Sequence, residues 1–108
     1  PLAPADALLA AGQGSWSSGG RALPHAAAQA AWWAQFKGAT AGAWTRERPA
    51  PERTPAPWLR LVADGRGVAS VEFTADAVLW CPIELGGCWR APITAAQREA
   101  WTAEAARW

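Results

Sequence analysis

The stretch from residue 58 to residue 81 decides the fold. It reads Trp58-Leu-Arg-Leu-Val-Ala-Asp-Gly-Arg-Gly-Val-Ala-Ser-Val-Glu-Phe-Thr-Ala-Asp-Ala-Val-Leu-Trp-Cys81. Asp64-Gly-Arg-Gly67 separates two runs in which apolar and polar residues alternate, and an Asp-Gly pair between such runs is the sequence of a tight β-hairpin. Alternation also sorts the side chains. Val71 and Phe73 share one face, and Glu72 falls on the other, where the pattern predicts a solvated carboxylate. Ala75-Asp76 marks a second turn, Ala77–Cys81 a third strand and Cys88–Ala91 a fourth.

Helical signals flank this meander. Thr94-Ala-Ala-Gln97 has the spacing of a capping box, and Trp101, Ala105 and Trp108 then fall on one helical face, so a helix is expected over Thr94–Trp108. Leu23–Lys37 predicts a second long helix, with Pro24 in its first turn and Gly38 as its C-terminal cap. His25 falls in that first turn, facing solvent. A short helix over Pro1–Ala11, a Gly/Ser-rich loop with a brief strand around Trp16, and a strand over Ala39–Arg46 carrying Trp44 complete the first half. Arg48–Pro57 holds four prolines, and proline lacks the ladder donor, so this segment reads as an extended surface connection. The expectation is an α+β fold: a small antiparallel β-meander of three or four strands packed against two main helices. Neither half has the apolar area for its own core, so residues 1–108 are expected to form a single domain.

Nine tryptophans, two phenylalanines and no tyrosine or methionine make up the large side chains. Each indole buries roughly 150–250 Å², whereas the abundant alanines bury little. Most of the tryptophans should therefore be interior.

Ten Lys and Arg against nine Asp and Glu give a formal net charge of +1. No block of like charge stands out, which argues against a nucleic-acid surface or a polybasic membrane anchor. No apolar run reaches the roughly 20 residues that span a bilayer. Cys81 and Cys88 flank Pro82 and the Gly86-Gly87 pair, residues that favour a turn. A disulfide closing so short a loop contributes about 2.5 kcal/mol in the chain-entropy picture and persists only in oxidising compartments. With a chain that opens on Pro1 rather than Met, this points to a periplasmic or secreted protein. The alternative is a pair of reduced core cysteines. Two cysteines and the lone His25 do not make a four-ligand zinc set, and no cofactor or metal is expected.

The search for catalytic chemistry finds little. None of Ser15, Ser17, Ser18 and Ser70 lies in a Gly-x-Ser-x-Gly elbow, and the Gly-rich 12–20 segment lacks the phosphate-loop pattern. Glu72 and Glu84 could act as paired carboxylates in a small hydrolase, although surface and turn roles fit them more simply. Aromatic recognition remains. Trp and Arg dominate interface hot spots, and three pairs place them close in sequence: Trp89 with Arg90, Trp58 with Arg60, and Trp44 with Arg46. For each, the structural alternative is a packed ring with a solvated Arg stem.

Gly42-Ala-Trp44, followed by Leu59-Arg-Leu61 and the Asp64-Gly65 turn, resembles small bacterial lipocalin-like and META-type envelope lipoproteins over roughly residues 40–90. The resemblance implies an exported β-rich domain with a structural or ligand-holding role. It brings no catalytic residues, and the chain departs from it by the long helix before the meander and by too few expected strands for a full barrel. The reading is therefore a non-catalytic exported binding protein, acting on a protein partner or envelope component, as an inhibitor or immunity-type protein. The alternatives are an accessory subunit of an envelope or secretion assembly docking through Pro49–Pro57, and the small hydrolase.

Overall fold

The computed structural model describes residues 1–18, 21–47, 59–83 and 87–105. Trp58, Glu84, Trp108 and the proline-rich segment 48–57 lie outside the described residues. In chain order the elements are α1 (Ala3–Ala10), β1 (Gly14–Ser18), β2 (Arg21–Ala22), α2 (Ala26–Thr40), β3 (Thr45–Glu47), β4 (Leu59–Ala63), β5 (Arg66–Phe73), β6 (Ala77–Pro82), β7 (Cys88–Pro92) and α3 (Ala95–Ala105).

The Asp-Gly turn forms as its chemistry dictates. Asp64 (φ 53) and Gly65 (φ 72) both take positive φ, as a two-residue type I′ turn requires. The meander β4-β5-β6-β7 follows in antiparallel register. The sheet is larger than the three or four strands expected: seven strands run in the order β2-β1-β4-β5-β6-β7-β3. The β1–β2 hairpin extends one side through pairing of β1 with β4. The chain then runs through α2 to the opposite edge, where β3 pairs with β7.

The sheet is curled rather than flat. β1 and β6 are separated by β4 and β5, a span of about 14 Å at normal strand spacing. Yet the Trp16 and Trp80 ring centroids are 6.5 Å apart. Trp16 pairs with Leu61, which pairs with Ala69, and the small alanine leaves room for the two indoles to converge over the concave face. α2 lies in this concavity. Trp16 meets Trp32 edge-on at 5.5 Å and Trp33 at 5.4 Å, Trp33 reaches Trp80 at 5.8 Å, and Phe36 stacks on Trp32 at 4.9 Å. α3 closes the cluster through Trp101, 5.5 Å from Phe36 and 6.4 Å from Phe73. Trp16, Trp32, Trp33, Trp80 and Trp101 are buried, and Trp44 and Trp89 are half-buried. The expectation of interior tryptophans thus holds for five of the seven that the structure describes.

Two boundaries differ from the sequence expectation. α2 starts at Ala26, after His25, which is exposed with a non-helical backbone (φ −97, ψ 80). It also runs through Gly38 to Thr40. Thr40 Oγ1 donates to the Phe36 carbonyl at 2.7 Å inside the core, so burial of the last turn outweighs the helix-breaking tendency of Gly38. Gly42, at φ +72, turns the chain out instead. The strand expected over Ala39–Arg46 is accordingly only Thr45–Glu47, and Trp44 precedes it.

Polar contacts fix the helices. Asp6 Oδ1 accepts from Lys37 Nζ at 2.7 Å and from Trp33 Nε1 at 2.9 Å, tying α1 to α2. Hydrogen bonds from Lys37, then from Trp33, hold the Asp6 carboxyl below its ordinary pKa. At α3 the expected capping box is complete: Gln97 N donates to Thr94 Oγ1 at 3.0 Å and Thr94 N to Gln97 Oε1 at 2.9 Å.

Two substitutions check these contacts. Thr94→Ala removes the α3 cap and is expected to lower the unfolding free energy by about 1 kcal/mol; an unshifted urea midpoint would contradict the cap. An acid held in its charged form stabilises the fold above the ordinary carboxylate range and loses that contribution as pH falls through its lowered folded pKa. The stability gap between the native chain and Asp6→Asn should therefore be widest above pH 5 and shrink in acid. A gap that does not vary with pH would show that the carboxylate charge contributes nothing.

Candidate functional site

Strand register sorts the proposed binding residues onto two faces. One rung crosses five strands: Leu59 pairs with Val71, Val71 with Trp80, Trp80 with Trp89, and Trp89 with Arg46. Leu59, Val71 and Trp80 of this rung belong to the main core, and Trp89 packs against its margin. Arg46 ends the rung on the edge strand β3, with its guanidinium over the Trp89 ring at 5.2 Å. This distance allows cation–π attraction. Gly87 leaves space for it, since a Cβ there would meet Arg46 Nη2 at 3.3 Å.

The opposite face carries the other polar residues. Leu79 pairs with Arg90 and Arg90 with Thr45. Arg90 therefore points away from Trp89, and it is held by Glu47 at 3.5 Å and Asp76 at 3.0 Å. The suggested Trp89–Arg90 patch is not one surface, because neighbours in a strand face opposite ways. The structure instead joins Trp89 to Arg46, residues drawn from two of the expected pairs. Trp44 packs against the core margin, 6.0 Å from Phe36. Arg60 is exposed on β4, paired with Ser17 and Ser70. Its expected partner Trp58 lies outside the described residues.

Cys81 and Cys88 form a disulfide across the β6–β7 connection, with Cα atoms 4.2 Å apart. Both are buried beside Leu79 in a second small cluster. Glu72, expected in solvent, is only 5% exposed. Its Oε2 lies 3.7 Å from Cys81 Sγ, a packing contact, because a disulfide sulfur carries no proton to donate. Alternation correctly placed Glu72 opposite Val71 and Phe73. It could not show that this second face is covered as well, and the burial of Ala77, Leu79 and Cys81 together with Val78 and Trp80 shows that both faces of β6 are.

Among the described residues, no helix is long and apolar enough to cross a membrane, and no group of three or more His, Cys, Asp or Glu side chains could hold a metal ion. The chain matches no protein-family model, no curated protein and no solved structure. The geometry of the site is therefore what bears on function.

Proposed function

We propose that this protein is a non-catalytic binding module of an oxidising compartment, periplasmic or secreted, that holds a protein partner or an envelope component through its β3–β7 edge. The observation that carries the reading is the Arg46 guanidinium seated over the half-buried Trp89 ring, on the outermost strand of the sheet. A guanidinium held over an indole makes a combined cationic and aromatic feature, and Trp and Arg together dominate the energetics of interfaces. Trp89 packs against the margin of the core, which limits the entropy lost in presenting it.

The Cys81–Cys88 bond supports the compartment, since such bonds persist where thiols are not kept reduced. An inhibitor or immunity-type role and a lipoprotein of the envelope both fall within this reading. So does kinship with the lipocalin-like and META-type proteins, supported by Gly42-Ala-Trp44 leading into β3 and by the Asp64-Gly65 hairpin. The hydrolase reading is weakened by the burial of Glu72 against the disulfide. The accessory-subunit reading rests on Pro49–Pro57, outside the described residues.

The test places a photo-crosslinking amino acid at Arg46, and for comparison at the exposed Ala34 of α2, in the exported protein in its native host. Discrete adducts are expected from position 46 and not from position 34. They should disappear when Trp89→Ala is added, with the melting temperature lowered only slightly. Equal labelling from both positions, or none from 46, would contradict this reading.

A further inference from the structure

Independently of the β3–β7 edge, one irregularity in the sheet aims a cation at an apolar cavity. Between β4 and β5, Leu61 pairs with Ala69 but Val62 pairs with Gly67. Val68 is therefore an extra residue in β5, a β-bulge. Val68 and Ala69 accordingly both pack on the core, although they are adjacent in sequence. The bulge resets the alternation toward the turn. Ala63, two residues past the buried Leu61, falls on the concave side, and its partner is Arg66. Directly paired residues of a ladder share a face, so Arg66 is on the concave side too. In a regular strand, a residue three positions before Ala69 would emerge on the other face. Gly67 agrees with this assignment: a Cβ there would lie 3.5 Å from Cδ of Arg60, the convex-side neighbour of Leu61.

On that side Arg66 meets a cavity of about 920 Å³. Pockets that hold small molecules measure roughly 300–1,000 Å³. Pro4 and Leu8 of α1 form one wall, and Val68, Ala69 and Trp80 of the sheet form the other. Arg66 is exposed and takes no ion pair among the described residues. Lys37 and Arg90, by contrast, are engaged by carboxylates. Among the described residues Asp64 is the one carboxylate of the lining, and Pro1 brings the amine of this chain to the same mouth. Two cationic groups against one carboxylate, at the rim of walls made largely of carbon, are complementary to an anion with an apolar body.

We propose that this cavity binds a small molecule with an apolar body and a single anionic end. The body lies between α1 and the concave side of the sheet, and the anionic end lies at the mouth against the Arg66 guanidinium. No covalent step is involved.

Three probes share one alkyl chain and differ only in the end group: decanoate, 1-decanol and decylammonium. Binding is followed by titration calorimetry at neutral pH and low ionic strength, with each probe kept below the concentration at which it aggregates. The native chain should bind decanoate saturably at one site, decanol more weakly and decylammonium most weakly. Added salt should narrow the gap between decanoate and decanol. Arg66→Gln should weaken decanoate about three- to fivefold, the upper scale of one exposed ion pair, and decanol less than about twofold. Retained decanol binding also shows that this variant is folded. Ala63→Trp fills the rim from the sheet and Pro4→Trp fills it from α1, and each should weaken decanoate and decanol at least about tenfold by occupying the space. Ala34→Trp, on the exposed face of α2, should change neither. Absence of saturable decanoate binding to the native chain, or binding undiminished in both rim variants, would overturn the site. Decanol or decylammonium binding as tightly as decanoate, or equal losses of decanoate and decanol in Arg66→Gln, would overturn the role of the anionic end.

Discussion

Contact between indole rings over a curled sheet is the constraint on which the rest of this structure depends. Trp16 comes from the first strand, Trp80 from the sixth, and Trp32 and Trp33 from the helix laid across them. Alanine-rich sequences bury little area per residue, so a chain of this size needs a few large side chains to offset the entropy of ordering. Placing four indoles at one point also determines topology. The β1–β2 hairpin must join the sheet beside β4 to bring Trp16 in, and α2 must cross the concavity to bring in Trp32 and Trp33. The crossing carries the chain to the far edge, where β3 adds to β7. The edge residue Arg46 then reaches the half-buried Trp89, so the candidate interface is a consequence of how the core is closed.

Local chemistry was legible where it suffices to specify structure. Asp64-Gly65 and the Thr94/Gln97 box need no distant partner, and both appear as their sequences indicate. The Cys81–Cys88 bond is of the same kind, a short loop with turn residues inside it. What could not be read is where the brief strand expected around Trp16 joins the sheet and how little of the strand expected over Ala39–Arg46 forms, because both depend on tertiary pairing. Gly14-Ser-Trp-Ser-Ser18 lacks the branched residues that mark a strand, and it is recruited by pairing with β4 and by the burial of Trp16. Thr45–Glu47 is too short to show periodicity and is a strand only because β7 offers an edge. Gly38 reads as a helix end but lies inside α2, because Phe36 and Thr40 are buried on either side of it.

The same division applies to the sites. Residue types were readable, since Trp89 and Arg46 both emerged as candidates, but their partnership was not. Proximity along a strand puts side chains on opposite faces, and proximity across strands is set by register, which the sequence does not spell out. Glu72 makes the complementary point: its face was assigned correctly, and its burial follows from a second covered face that alternation cannot reveal.

The account rests on Trp16 as the ring through which sheet and helix meet. Equilibrium unfolding of Trp16→Ala in urea, beside Trp89→Ala as the margin control, tests this most directly. Removing a fully buried indole should lower the unfolding free energy by about 3–5 kcal/mol, with Trp89→Ala losing far less. A Trp16→Ala chain that unfolds within about 1 kcal/mol of the native protein, or no earlier than Trp89→Ala, would contradict it.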